Sequence, residues 1–141
     1  MKRVLFDSDV LLDVLAQRQP FFVASAQALD TVTQRRVQGY VSGHAVTNIF
    51  YILRRQIGNE SARELIAKIL QHIQVASVTD EVIRQALQSP IADFEDAVTS
   101  VAANVAGLEI IVTRNTPDFV ASSVRAMMPQ DFLTMLSELE L

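Results

Sequence analysis

A chain of 141 residues, half of them hydrophobic and 20% charged, is large enough for a core without staples and too apolar for disorder. The absence of cysteine excludes a disulfide framework, a thiolate metal ligand and a cysteine nucleophile. A net charge of -4 argues against a broad non-specific nucleic-acid surface, though not against local contacts.

Lys2 and Arg3 precede only Val4-Leu5-Phe6 before Asp7, too short a run for a signal-peptide core. No later apolar run approaches the ~18 residues of a membrane span, so the chain reads as cytoplasmic with no membrane partner. Arg3 to Phe6 has the length of a buried strand and stops abruptly at Asp7. The pattern predicts a helix over Val10 to Gln17, ended by Pro20, and a second over Phe22 to Arg36. Gly39 to Ser42 is a short strand. His44 to Gln56 follows as an amphipathic helix, with Val46, Ile49, Phe50 and Leu53 as its stripe and Gly58 as its stop.

Glu60 to His72 is helical, Gln74 to Val78 fits a strand, and Thr79 caps a helix running to Leu87 before Ser89-Pro90. Asp93 to Ala106 is a helix rich in small residues, stopped at Gly107. Ile110 to Thr113 is β-branched and bounded by turn residues, the clearest strand of the chain. A short strand around Val124 to Met127 and a helix from Pro129 to Leu139 close the pattern. Strands separated by helices imply an α/β fold, a three-layer α/β/α sandwich with a mainly parallel central sheet. No repeat or linker interrupts residues 1–141, which read as a single domain.

Acids stand at the ends of three of these elements: Asp7 with Asp9 and Asp13; Asp93, Glu95 and Asp96 opening a helix; and Asp118 after the Ile110 strand. In open α/β sheets ligands bind outside the carboxyl ends of the strands. If the three segments share one sheet edge, their carboxylates converge, and oxygen-only ligands suit Mg²⁺ or Mn²⁺. Each acid also has a plain structural role. Asp9 can cap the first helix and Asp13 can be a solvated surface acid; Asp93 can cap its helix, with Glu95 and Asp96 favoured by the dipole; Asp118 can be a turn residue. Asp7 is harder to dismiss, because a strand-terminal acid among apolar residues bears a desolvation cost. Hydrolysis of a phosphodiester by a metal-activated water fits an acid cluster that has no Ser, Cys or His nucleophile constellation.

These segments resemble the PIN domain, the metal-dependent ribonuclease fold shared by VapC-type toxins of bacterial toxin–antitoxin pairs. Leu5-Phe6-Asp7-Ser8-Asp9-Val10-Leu11-Leu12-Asp13 is similar to the family's strand-end motif. Asp93-Phe94-Glu95-Asp96-Ala97 resembles its helix-opening segment, and Ile111-Val112-Thr113-Arg114-Asn115 through Asp118-Phe119 its final segment. The resemblance implies a PIN-type ribonuclease, the toxin of a toxin–antitoxin pair, with Asp7, Asp96 and Asp118 as catalytic and metal-binding residues. Asp9, Asn48, Glu95, Thr113 and Asn115 would support them. It also implies an RNA substrate, a homodimer and a cognate antitoxin across the cleft. Apolar positions on more than one face of the Phe22 and His44 helices independently suggest self-association.

Two positions depart from the family pattern: Asn48 and Asn115 stand where acids are usual, which keeps an oxygen ligand and removes a negative charge. Arg114 is the candidate for a substrate phosphate; Arg54-Arg55 reads as a solvated helix end. His44 and His72 lack zinc-ligand spacing and are left out of the site. Two other functions compete. A catalytically weakened PIN-like RNA- or protein-binding module would explain the asparagines. A phosphatase of the haloacid dehalogenase type would use the Asp7-Ser8-Asp9-Val10 spacing, but needs a lysine at the phosphate, and the chain has only Lys2 and Lys68.

Overall fold

The computed structural model describes residues 1–141. Its elements run β1 (Lys2–Phe6), α1 (Ser8–Leu15), α2 (Phe22–Thr33), β2 (Val37–Ser42), α3 (Gly43–Ile57), α4 (Asn59–Ile69) and β3 (Gln74–Ala76). There follow α5 (Asp80–Leu87), α6 (Phe94–Val105), β4 (Ile110–Val112), a 3-10 turn (Thr116–Phe119), β5 (Arg125–Met127) and α7 (Pro129–Leu139). The sheet has five strands in the order β3-β2-β1-β4-β5, and every pairing is parallel. The expected mainly parallel sheet is thus wholly parallel.

Alternation along the strands divides the core. Val4 and Phe6 of β1, Val41 of β2 and Val112 of β4 face one side, packed with α1, α2, α3, α4 and α7 through Leu11, Ala28, Ile49, Ala62 and Phe132. Leu5, Tyr40 and Ile111 face the other side, against Ala103 of α6 and Phe119 of the 3-10 turn. A third cluster joins α5 to α6 through Val82, Ala86, Val98 and Ala102. The result is a three-layer α/β/α sandwich. Its division of helices follows from strand order. The chain moves from β1 to β3 in one direction and from β4 to β5 in the other. Parallel crossovers keep one hand, so the reversal sends the later connections to the opposite face.

Two local features set element lengths. Helix α2 ends at Thr33, short of the expected Arg36, because Arg35 turns to φ 58° and releases the chain into β2, which starts at Val37, before the expected Gly39. Gly39 then passes under α2 and the turn after α4: a Cβ there would lie 2.7 Å from Val32 Cγ2 and 2.8 Å from Ile73 Cγ2. Only glycine allows that approach without displacing a neighbour.

Candidate functional site

Strand order reverses between β1 and β4, and the acid segments gather at the carboxyl edge of that junction. Asp7 leaves β1 in extended geometry and is the N-cap of α1, accepting from Ser8 N at 2.9 Å. The cap is therefore Asp7 and not Asp9, and the helix starts at Ser8 instead of Val10. The Thr113 hydroxyl, beyond β4, donates to the other Asp7 oxygen at 2.8 Å. Burial raises the Asp7 carboxyl above its ordinary range; the Thr113 and Ser8 bonds oppose this, and the charges of Glu95 and Asp118 add to it.

Asp9 accepts from Val10 N at 2.7 Å through one oxygen. Its other oxygen takes both Arg114 N and Asn115 Nδ2, each at 3.0 Å. Burial, then the charge of Asp7, pushes its carboxyl up to about 6.

Asp13 is not a surface acid: it is wholly buried. The expectation of a solvated residue failed because its partners lie elsewhere in the chain. Ser25 donates to it at 2.9 Å, Arg114 Nε at 2.7 Å, and Arg18 Nε stands 3.3 Å away. The Arg114 guanidinium, expected on a substrate phosphate, is thus engaged by Asp13 and stacks over the Phe21 ring, 3.8 Å from its centroid. Successive acids of the first segment hold successive residues beyond β4: Asp7 takes Thr113, Asp9 takes Arg114 and Asn115, and Asp13 takes the Arg114 side chain.

The second segment begins where Asp93 caps α6 by accepting from Asp96 N at 3.0 Å. Asp96, one turn in, is pushed up to about 7 by burial first, then by the charges of Asp7, Asp93, Asp118 and Glu95. Asp118 is exposed in the 3-10 turn, its N–H bonded to Asn115 O at 3.0 Å. The electrostatic coupling brings Asp7, Glu95, Asp96 and Asp118 into one neighbourhood.

The asparagines each serve an acid. Asn48 Nδ2, on α3, donates to Glu95 Oε2 at 3.2 Å, as Asn115 does to Asp9. His44, left out of the site on sequence, lies beside Glu95. It opens α3 and donates through Nε2 to the Glu95 carbonyl at 3.2 Å, with Thr99 Oγ1 3.4 Å away. Burial lowers its proton affinity, and Nδ1 is buried without a partner. No zinc spacing marks His44; its place three residues before Thr47 and four before Asn48 on α3 was the available signal.

No three acidic or histidine side chains close into a preformed metal cage. The donors are nevertheless all oxygens, and desolvated carboxylates that repel one another are groups a cation would discharge. Such a set fits a hard divalent ion that keeps several waters and takes one or two protein carboxylates. Neither lysine attends Asp7: Lys2 pairs with Glu109, and Lys68 lines a cleft of about 450 Å³ with Leu15, Leu29 and His72. The phosphatase geometry therefore lacks its cation.

A family model described as PIN domain matches residues 3–117. The chain belongs to the PIN domain family. No curated protein matches the chain in sequence. Among solved structures, VapBC2 from Rickettsia felis bound to a promoter DNA fragment is similar with a TM-score of 0.71 at 9% identity, covering 89% of this chain and 98% of that one. The Sarcin-Ricin loop cleaving toxin VapC20 of Mycobacterium tuberculosis gives 0.68 at 14% identity, covering 84% and 94%. FitAcB from Neisseria gonorrhoeae gives 0.69 at 19% identity, covering 90% and 98%. At these identities the shared property is the fold. No helix is long and apolar enough to cross a membrane.

Proposed function

We propose that this chain is a Mg²⁺- or Mn²⁺-dependent endoribonuclease of the PIN type, with Asp7, Asp96 and Asp118 as its catalytic and cation-binding residues. The observation that carries the reading is the gathering of Asp7, Asp96 and Asp118 from three separate segments at the sheet's reversal point, where the charge of Asp118 reaches both Asp7 and Asp96. When bound, the cation would supply an acidified water and offset charge on phosphoryl oxygens. The protein's part is to hold the acids: Thr113 and Ser8 fix Asp7, Arg114 N and Asn115 fix Asp9, and Asp93 fixes the start of α6. Glu95 and Asn48 brace one another at the rim. Wild-type protein incubated with single-stranded RNA and Mn²⁺ should cleave it, and Asp7→Asn protein should not. Cleavage that survives chelator or Asp7→Asn would refute this function.

The remaining parts of the proposal concern partners. Residues 1–141 act as one domain in the cytoplasm, as the toxin of a toxin–antitoxin pair. Solved toxin–antitoxin complexes of the same fold support a cognate antitoxin. Val23 on α2 and Tyr51 and Ile57 on α3 are exposed apolar side chains that support a homodimer. Light scattering that returns only monomer would remove the dimer. A second reading, a PIN-like binding module with weakened catalysis, is favoured by the asparagines at 48 and 115 and by the open spacing of the acids. Absence of Mn²⁺ binding would move the chain to that reading.

A further inference from the structure

We propose that the 3-10 turn Thr116–Phe119, with Val120 just beyond it, is the ridge of a nucleotide subsite. A base cleft lies on its acidic side and a phosphate contact, Arg125, on the other. This deepens the ribonuclease reading and rests on it. Two clefts share Pro117 and Val120 as a common wall, and the Val120 side of that wall is 84% exposed. The first, of about 430 Å³, lies between the α5–α6 loop and the turn and is lined by Pro90, Ile91, Asp93 and Asp118. The second, of about 490 Å³, includes Thr116, Ser122 and Arg125. Both fall in the roughly 300–1,000 Å³ range of small-ligand pockets.

The chemistry of the two clefts differs. The first combines apolar walls with two carboxylates and has no basic side chain, which suits a flat, uncharged heterocycle. Asp93 gives one oxygen to Asp96 N, and its other oxygen has no protein partner. That oxygen accepts from the exocyclic amino group of adenine or cytosine, at the position where uracil carries the O4 acceptor. Arg125 is the one cation lining either cleft, is exposed, and takes part in no ion pair. A guanidinium so placed suits a backbone phosphate. A strand laid across the ridge would put a base on one side and its neighbouring phosphate on the other.

The test uses full-length Asp7→Asn protein, so that RNA stays intact, with Mg²⁺ and short single-stranded oligo(A), oligo(C) and oligo(U) read by fluorescence anisotropy. The A and C strands should bind about ten-fold tighter than U, the effect of one hydrogen bond to a charged group. Adding Asp93→Asn keeps the helix cap and replaces the free oxygen with an amide NH₂, so this preference should vanish or reverse. Adding Arg125→Ala should weaken all three strands alike and lower the slope of log K against log salt by about 0.7. Mn²⁺ binding by Arg125→Ala in the wild-type background should match wild type. An unchanged base preference in Asp93→Asn, an unchanged salt slope in Arg125→Ala, or loss of Mn²⁺ binding in Arg125→Ala overturns the subsite. If the binding pattern holds but wild-type protein fails to cleave RNA, the subsite stands and the nuclease reading falls. If wild-type protein cleaves RNA and the binding pattern is missing, the nuclease reading stands and the subsite falls.

Discussion

Asp13 and Arg114, 101 positions apart in sequence, form a two-bond ion pair of 2.7 and 3.2 Å around a wholly buried carboxylate. Removing one side of such a pair strands the other charge in low dielectric. Asp13→Ala, which orphans Arg114 and the adjacent Arg18, should therefore lower unfolding free energy by about 3–5 kcal/mol. Asp13→Asn keeps the Ser25 contact in shape and should lose less. Urea unfolding of the variants measures this. A loss below about 1 kcal/mol in Asp13→Ala would equate the pair with a surface bridge.

The acids predict how stability responds to pH. Asp7, Asp9 and Asp96 all bind protons more tightly in the fold than when unfolded, with Asp9 near 6 and Asp96 near 7. A raised folded-state value contributes stability that is fully present below the unfolded value and lost as pH climbs through the folded one. Metal-free protein should accordingly lose stability between about pH 4 and pH 7 from these groups. Mn²⁺ should restore it, most strongly at the alkaline end of that window. Thermal melts across this range, with Mn²⁺ and with chelator, provide the measurement. Equal melting temperatures in the two series would remove the cation from the site.

Asp7→Asn separates stability from activity. The amide oxygen still accepts from Ser8 N, and a buried charge is lost, so the metal-free variant should melt at the same temperature as wild type or higher. Its cleavage rate should fall by more than the roughly 10–100-fold typical of losing an outer-shell partner. A variant that melts well below wild type would mean that Asp7 is chiefly structural.

The asparagines offer the converse change. Asn48→Glu sets a second carboxylate against Glu95, and Asn115→Asp sets one against Asp9. Each should destabilise the metal-free protein and tighten Mn²⁺ binding, because the cation offsets the added repulsion. Titration calorimetry on wild type and both variants measures the change; looser binding in both would place the amides outside the cation's reach.

Gly39→Ala tests the approach of α2 and the turn at Ile73 to the sheet. The new Cβ falls within 3 Å of Val32 and Ile73 side chains, an overpacking that should cost about 1–3 kcal/mol. Denaturant midpoints report it, and a neutral result would show that the layer can spread.

The alternation of elements was legible because strands such as Val4 to Phe6 and Ile110 to Val112 are short apolar runs ended by a polar residue. Parallel pairing followed from the helices between them. The acids at element ends were visible for the same reason. Side-chain partnerships were not. Asp13 reads as surface because burial of a carboxylate depends on Arg114 and Arg18, and nothing local announces a partner 101 residues away. Arg114 reads as a phosphate ligand until Asp13 claims it. The 3-10 turn was hidden within four residues around Pro117, too short for any periodicity. His44 lies beside Glu95 only because α3 and α6 meet at the sheet edge.

The central position of β1, with β4 as its neighbour, has a consequence for synthesis of the protein. As the chain emerges, β1, β2 and β3 can pair with their helices well before Ile110 is made. Until then Asp7 lacks Thr113, Asp9 lacks Arg114 and Asn115, and Asp13 has Arg18 and Ser25 but lacks Arg114. Asp7 and Asp9 therefore remain without their β4-side partners in the nascent chain and gain them only when β4 docks. An unfinished polypeptide carries the first motif of the site without its chemistry.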